Sequence, residues 1–196
     1  GGCAGQHYSD SVYLMIEPVP VADFSFSNNC QGEAVQFTDQ TTLVTGTYTL
    51  LWNFGDGHTS VLGNPINTYA TAGNYAVILT ATSGLGCIDT ETKTVTVIPS
   101  ATADAGPSTD VFCAAGSYAL TSSAVTNSSS QLWSTSGSGT FNDATLLHPV
   151  YTPSAGDIAV GAITLTLTAA GLTPCPAVSD AITFTIHPLP TANAGS

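Results

Sequence analysis

Five cysteines are the residues of this sequence whose placement most directly predicts chemistry, namely disulfide formation. None of them forms the Cys-x-x-Cys pair that is typical of a zinc site. Cys30 precedes one strand-like run and Cys87 follows another, and Cys113 and Cys175 repeat this arrangement further along the chain. The sequence therefore predicts two disulfides, Cys30–Cys87 and Cys113–Cys175, in a protein that folds in an oxidising, extracellular compartment.

The fifth cysteine, Cys3, has no partner in this scheme. It is followed by a short turn, an alternating strand and a proline, and the segments after Cys87 and Cys175 have the same order of features. We therefore expect Cys3 to pair with a cysteine of a repeat that precedes this chain. A free thiol at Cys3 is the alternative.

The four histidines do not fall in a catalytic motif. His7 lies in a predicted turn, His58 follows a Gly-Asp-Gly turn, and His148 and His187 each precede a proline. The sequence also has no Gly-x-Ser-x-Gly, no His-Glu-x-x-His and no phosphate-binding loop. We therefore predict that the protein is not an enzyme and has no catalytic residues.

We expect no cofactor, and Ca²⁺ is the one cation that the sequence would suit. Ca²⁺ prefers carboxylate and carbonyl oxygens, and three carboxylates lie near the predicted repeat junctions: Asp23, Asp104 and Asp110. However, the sequence contains no calcium-binding loop, and the matching position of the last linker is Asn193. The alternative is that these carboxylates are solvated or belong to turns.

The composition excludes several classes of function. The 196 residues carry a formal net charge of −12 and one basic side chain, so the protein lacks the electrostatic footprint needed for nucleic acid or an anionic membrane surface. No apolar run approaches the roughly 18–20 residues that span a bilayer, so we expect no membrane insertion. The hydrophobic content of 43% suits packed cores, and the scarcity of charged helix formers beside abundant Thr and Val predicts an all-β fold.

Repeated linkers indicate how the chain is divided. Residues 102–106 recur as 191–195, and residues 21–24 look like a diverged earlier copy. Repeats of roughly 80–90 residues have the size of one small β-sandwich. We therefore predict the last strand of a preceding repeat, two complete repeats and the start of a following one, at residues 1–19, 20–99, 100–188 and 189–196.

The first complete repeat consists of short alternating strands and carries a distinctive motif. The motif residues are Trp52, Phe54, Gly55, Asp56, Gly57, Tyr69, Gly73 and Tyr75. Their order, Trp-x-Phe-Gly-Asp-Gly and then Tyr-x-x-x-Gly-x-Tyr, resembles the PKD (polycystic kidney disease) domain, which implies a seven-stranded immunoglobulin-like sandwich. Trp52 is expected in the core and Tyr75 at the start of a late strand. We expect Asp56 to cap backbone N–H groups of the turn, with a functional acid as the alternative.

The second complete repeat lacks this motif but keeps a candidate core tryptophan, Trp133. It resembles the PKD-like repeat of very large surface adhesins of Bacteroidetes, which include gliding-motility adhesins exported by the type IX secretion system. The segments that carry this resemblance are Ala-Gly-Pro at 105–107, Trp-Ser-Thr at 133–135, Tyr-Thr-Pro-Ser-Ala at 151–155 and Cys-Pro-Ala-Val-Ser-Asp at 175–180.

Two short patterns are candidate glycosylation sites. Asn127 begins an Asn-Ser-Ser sequence that matches the N-glycan acceptor, although such sequences also arise by chance in serine-rich segments. Ser11 follows an aspartate and precedes a valine, which resembles the Bacteroidetes O-glycosylation pattern.

Tandem β-sandwiches joined by proline-containing linkers predict a structural and adhesive role, because proline stiffens a linker. We expect a stalk segment of a large repetitive cell-surface protein that projects a binding region. Its expected partners are neighbouring repeats of the same chain, with surface polysaccharide or other cell-surface proteins as further candidates. The alternative is a spacer or carbohydrate-binding module of a secreted hydrolase. A carbohydrate-binding module would need exposed aromatics, for which the candidates are Tyr48, Tyr118 and Tyr151.

Overall fold

The computed structural model of the chain describes residues 18–114 and 116–189. It divides the chain into two compact units, Gly1–Ile98 and Pro99–Ser196. The regular secondary structure of the described residues is almost all β-strand in both units, which confirms the predicted all-β, immunoglobulin-like fold. The segments predicted as parts of neighbouring repeats, 1–19 and 189–196, lie almost wholly outside the described residues. Among the described residues, no helix is long and apolar enough to cross a membrane.

The described residues of the first unit form seven strands in two antiparallel sheets. The strands are β1 (Phe24–Ser27), β2 (Ala34–Asp39), β3 (Tyr48–Asn53), β4 (Thr59–Ser60), β5 (Ile66–Thr68), β6 (Gly73–Ser83) and β7 (Ile88–Val97). One sheet has the order β1-β2-β5 and the other the order β4-β3-β6-β7. In β6, buried Val77, Leu79 and Ala81 alternate with more exposed residues, as the two-residue period of a half-buried strand requires.

The core of the first unit is aromatic and lies between the two sheets. Trp52 of β3 is fully buried, and its ring lies 5.2 Å from that of Phe24 and 5.6 Å from that of Phe37, measured between centroids. Such tilted aromatic pairs stabilise a core beyond the area they bury. This packing fixes the end of β3, where the motif begins.

The second unit, over its described residues, forms nine strands and one short helix. The strands are β8 (Thr102–Asp104), β9 (Thr109–Cys113), β10 (Tyr118–Ala119), β11 (Ala124–Thr126), β12 (Ser128–Thr135), β13 (Thr140–Phe141), β14 (Val150–Thr152), β15 (Ala162–Gly171) and β16 (Val178–His187). They form sheets of order β12-β15-β16-β9, β10-β14-β13 and β11-β8. The edge strand β9 runs parallel to β16, so both strands end on the same side of the unit.

The helix of the second unit, α1 (Ala155–Val160), is set by its caps. The Ser154 hydroxyl accepts the N–H of Asp157 and the Asp157 carboxylate accepts the N–H of Ser154, which is the reciprocal capping box. Gly161 ends the helix in the left-handed conformation with φ of 77°. The helix therefore places a carboxylate beside the core of this unit.

Candidate functional site

The motif turn after β3 is held by its own side chains. The Trp52 indole N–H donates to the carbonyl oxygen of Leu62 at 2.9 Å, and the Asn53 side-chain oxygen accepts the N–H of Gly55 at 3.0 Å. Gly55 and Gly57 have φ of +79° and +96°, which non-glycine residues rarely adopt. These hydrogen bonds and the two glycines therefore hold the turn in its conformation.

Asp56, the acidic residue of the motif, is a hydrogen-bond acceptor within this turn. One oxygen accepts the N–H of His58 at 3.0 Å, and the other accepts the Asn67 amide at 2.7 Å and lies 3.1 Å from Nδ1 of His58. Burial acts to raise the pKa of Asp56, but the hydrogen bonds from Asn67 and His58 outweigh it and hold the pKa below its usual value. These contacts match the turn-capping role expected for Asp56.

The two motif tyrosines pack against each other beside this turn. Tyr69 is fully buried, its hydroxyl donates to the carbonyl oxygen of Phe54 at 3.1 Å, and burial raises its pKa to about 12. The ring of Tyr75 lies 4.2 Å from that of Tyr69, and its hydroxyl donates to the carbonyl oxygen of Thr71 at 2.9 Å. Gly73 begins β6 between them. The whole motif thus serves the packing of the sandwich.

The second unit has a buried carboxylate that sequence reasoning missed. Asp157 is 3% exposed, and its oxygens accept four hydrogen bonds of 2.8–2.9 Å. The donors are the N–H groups of Ser138, Gly139 and Ser154 and the hydroxyl of Tyr151. The only local signal was Ser154 three residues before Asp157, the spacing of a capping box.

The environment of Asp157 keeps it ionised and inaccessible. Burial alone would raise its pKa, but the backbone donors and Tyr151 outweigh burial and lower the pKa to about 2. A Cβ atom at Gly139 would overlap this carboxylate, so the surrounding chain is closely fitted to it. A general acid or base needs a proton that exchanges near the working pH and an open approach, and Asp157 has neither.

The histidines do not assemble a catalytic group within the described residues. The His58 side chain is 72% exposed and bonds only to Asp56, without a nucleophilic hydroxyl or thiol among its hydrogen-bond partners. His148 Nε2 lies 3.0 Å from the carbonyl oxygen of Ser123, and His187 ends β16. His7 lies outside the described residues.

The three carboxylates predicted as calcium candidates each bond to protein groups. Asp23 lies 2.6 Å from the Lys93 amine, and this hydrogen bond and that from the N–H of Phe24 lower its pKa. Asp104 accepts the N–H of Gly106 at 2.9 Å, and Asp110 accepts the N–H of Val111 and the Tyr118 hydroxyl. No group of three metal-ligating side chains is brought together in the described part of the chain. Ca²⁺ binding remains a prediction.

The glycosylation candidates also remain predictions. Asn127 stands in the left-handed conformation with φ of 51°, and its amide nitrogen donates to the carbonyl oxygen of Ser100 at 3.0 Å. Ser11 lies outside the described residues.

The predicted disulfide Cys113–Cys175 is wrong. Cys175 is disulfide-bonded, whereas Cys113 is an exposed free thiol. Cys113 pairs with His187 at the end of the ten-residue strand β16, and Cys175 precedes the first residue of that strand. An extended strand rises about 3.3 Å per residue, so the two cysteines lie roughly 30 Å apart, far beyond the reach of a disulfide.

The same geometry corrects the predicted pair Cys30–Cys87. Both residues are disulfide-bonded. However, Cys87 directly precedes β7, while Cys30 pairs with Ile98, which directly follows it. Ten extended residues again separate the two by roughly 30 Å. The prediction failed because order along the chain does not reveal at which end of a strand a cysteine lies. Cys3 and its expected upstream partner lie outside the described residues.

Comparison with known proteins identifies the first unit. Residues 17–97 match the family model described as "PKD domain". This confirms the PKD domain predicted from the Trp-Asn-Phe-Gly-Asp-Gly motif, and the match ends where the first unit ends. A curated relative, "Pre-pro-metalloprotease PrtV" of Vibrio cholerae serotype O1, is 32% identical over 84 residues, which are 43% of this chain and 8% of that protein.

Two solved structures are similar to this chain over the same stretch. The PKD1 domain of Vibrio anguillarum Epp is 31% identical, covering 42% of this chain and 96% of that domain, with a TM-score of 0.39. The PKD1 domain of the Vibrio cholerae metalloprotease PrtV is 34% identical, covering 41% and 98%, with a TM-score of 0.38.

Proposed function

We propose that this chain is a structural spacer of an extracellular protein, and more specifically a stalk segment of a large repetitive surface adhesin. The PKD match of the first unit supports the general role, because the residues that define the family motif here form a core and a turn. The disulfide-bonded cysteines favour an oxidising compartment outside the cell. The Bacteroidetes adhesin context, with gliding motility and type IX export, rests on the sequence segments of the second unit.

One observation carries the spacer role: the polar groups that could do chemistry serve the fold. Asp157 is buried under four donors, and Asp56 accepts hydrogen bonds from its own turn and from Asn67 of β5. Neither carboxylate belongs to a group of three metal-ligating side chains among the described residues. Such groups maintain the shape of a domain, which is what a spacer requires.

A second candidate is a spacer module of a secreted hydrolase. The metalloprotease relative favours it, because a similar PKD segment occupies 8% of that protein. The carbohydrate-binding form of this alternative has less support. The described aromatic side chains are all buried or half-buried, and Tyr151 is fully buried. Tyr48 and Tyr118 are half-buried and bond through their hydroxyls to Asp39 and Asp110.

Binding assays with insoluble cellulose and chitin test whether this chain recognises polysaccharide. The spacer role predicts that the chain stays in the supernatant, and that Tyr48→Ala and the matched variant Tyr75→Ala behave like the wild type. Saturable binding that Tyr48→Ala abolishes and Tyr75→Ala preserves would overturn the spacer role in favour of a binding module.

Peptide mapping of the parent polypeptide separates the stalk from the hydrolase spacer. The stalk proposal predicts one polypeptide with many such repeats and no catalytic domain. A fused catalytic domain would refute the stalk and leave the hydrolase spacer.

A further inference from the structure

One edge of the larger sheet of the first unit is open along the length of its last strand. The edge strand β7 pairs with β6 along its whole length. On its other side the described residues supply a single bridge, from Cys30 to Ile98 just beyond the strand. In the second unit the last strand, β16, is covered on that side by β9. The open edge of β7 therefore carries a row of N–H and C=O groups that can accept another strand.

The contacts at the end of β7 show which backbone groups face this edge. The N–H of Ile98 donates to the carbonyl oxygen of Asn29 at 2.8 Å, and the Asn29 side chain donates to the carbonyl oxygen of Thr96. Every second residue of an antiparallel strand turns its backbone groups to the same side. Three further threonines of β7 therefore face the open edge: Thr90, Thr92 and Thr94. No hydrogen bond within the described part of the chain occupies their groups on that side.

The charged side chains of β7 lie on its less exposed face. Lys93 is the only lysine or arginine of the chain. Its amine donates to a carboxylate oxygen of Asp23 at 2.6 Å and to the carbonyl oxygen of Phe24, which leaves one of its N–H groups unused among the described residues. Glu91 lies on the same face and has no hydrogen bond or ion pair within those residues. The edge strand thus carries a carboxylate without a partner beside an amine with a spare donor.

Charge complementarity selects a second copy of this chain as the strand that fits the edge. The net charge of −12 makes copies repel each other, so a contact between them needs opposite charges that face each other. When β7 pairs antiparallel with itself and Thr92 faces Thr92, Glu91 of each copy faces Lys93 of the other. The neighbouring registers that keep the same faces together place Glu91 opposite Glu91 or Lys93 opposite Lys93, which is unfavourable. One register therefore satisfies both the backbone and the charges.

We propose that two copies of this chain associate through antiparallel pairing of their β7 strands, with Thr92 on the two-fold axis. The open backbone groups of the three edge threonines supply the hydrogen bonds, and each threonine faces a threonine, a cross-strand pair that favours a sheet. On the other face Lys93 keeps its contacts within the unit and donates its remaining N–H to the partner's Glu91. The association goes beyond the spacer role and does not depend on whether the parent protein is an adhesin or a hydrolase.

Sedimentation equilibrium of the full chain over a range of concentrations measures this association. Cys113 is alkylated beforehand, because two exposed thiols can oxidise to a disulfide and link copies in another way. We expect a monomer–dimer equilibrium that Glu91→Lys weakens roughly tenfold, since both cross-strand charge pairs become repulsive. The matched control Glu33→Lys changes the net charge equally at an exposed turn residue and should not weaken it. A chain that stays monomeric up to about 1 mM, or equal weakening by both variants, would refute the proposal.

A mixing experiment tests the register of the two strands. Lys93→Glu should also weaken self-association, because it places Glu91 opposite a second carboxylate. An equimolar mixture of Lys93→Glu and Glu91→Lys should recover the dimer, since every cross-strand charge pair then joins a carboxylate to an amine. A mixture that associates no better than the separate variants would overturn this register.

Hydrogen exchange of the wild-type chain locates the contact without any substitution. The backbone amides of Thr90, Thr92 and Thr94 should exchange more slowly as the protein concentration rises, because pairing places them in hydrogen bonds. A chain that associates while these amides exchange at an unchanged rate has its contact elsewhere, and that result would contradict the proposal however the variants fold.

Discussion

The two units share a tryptophan-centred core but support it with different partners. In both, a buried indole N–H donates to a leucine carbonyl oxygen, from Trp52 to Leu62 and from Trp133 to Leu147. Both also bury a tyrosine completely. Each unit therefore has a buried tryptophan whose indole N–H is bonded, together with one fully buried tyrosine.

The difference lies in what the buried tyrosine bonds to. The Tyr69 hydroxyl of the first unit donates to a backbone carbonyl oxygen, whereas the Tyr151 hydroxyl of the second donates to the Asp157 carboxylate. A partly exposed turn carries the carboxylate of the first unit, Asp56, and a buried helix cap carries that of the second. The second unit, which lies beyond the PKD match, thus builds its buried tyrosine contact from residues that are unrelated to the family motif.

The largest expected effect comes from neutralising the buried carboxylate. Asp157→Asn keeps the shape but removes the charge and one of the two acceptor oxygens that serve four donors. We expect the second unit to lose roughly 3 kcal/mol of stability, because buried donors are left unsatisfied. Asp56→Asn should cost the first unit only about 1 kcal/mol, since that turn is closer to solvent. Denaturant-dependent hydrogen exchange read by mass spectrometry reports the two units separately.

The pH dependence of the second unit checks the cause of this loss. The pKa of Asp157 is about 2 in the folded state against 3.8 as its ordinary value, so the unfolded chain binds the proton more tightly. The stability it contributes is therefore complete above about pH 4 and is lost as the pH falls towards 2. Asp157→Asn should flatten this part of the profile. An unchanged profile in the variant would show that Asp157 is not responsible.

The next largest expected loss of stability comes from substituting a turn glycine of the first unit. Gly55→Ala combines a positive φ with a Cβ atom 2.7 Å from the carbonyl oxygen of Ala76, so the chain must shift. We expect a loss of roughly 2–3 kcal/mol. The matched control Gly57→Ala has a similar φ but no atom within 4 Å, and should cost about 1 kcal/mol. Equal losses in the two variants would mean that backbone conformation alone, and not the close approach to Ala76, sets the requirement for glycine at position 55.

The sequence predicted the fold and the motif because both depend on local pattern. Alternating apolar residues and the Trp-Asn-Phe-Gly-Asp-Gly turn specify strands and a core directly, as Trp52 and Tyr69 show. Two features depended on topology instead. Cys30 lies far from Cys87 because the segment that carries Cys30 pairs with the residue at the end of β7, whereas Cys87 precedes the start of that strand. Asp157 is enclosed because the N–H of Gly139, which is distant in sequence, donates to its carboxylate. Neither is encoded in the spacing of nearby residues.

The smallest expected losses of stability come from removing the hydroxyls of the two buried tyrosines. Their comparison tests whether a carboxylate acceptor stabilises the fold more than a carbonyl acceptor does. Tyr69→Phe and Tyr151→Phe remove the same hydroxyl from equally buried positions. The first leaves a neutral carbonyl oxygen with one donor fewer and should cost about 1 kcal/mol. Tyr151→Phe removes one of the four donors around a buried anion and should cost about 2 kcal/mol, because hydrogen bonds to charged groups are stronger.

The extra loss of stability in Tyr151→Phe, relative to Tyr69→Phe, should disappear when Tyr151→Phe is made in the Asp157→Asn background. A double-mutant cycle read by hydrogen exchange measures this. An excess that persists there would place the extra cost of Tyr151→Phe in packing or in the contact with Thr135, whose hydroxyl lies 3.1 Å from that of Tyr151.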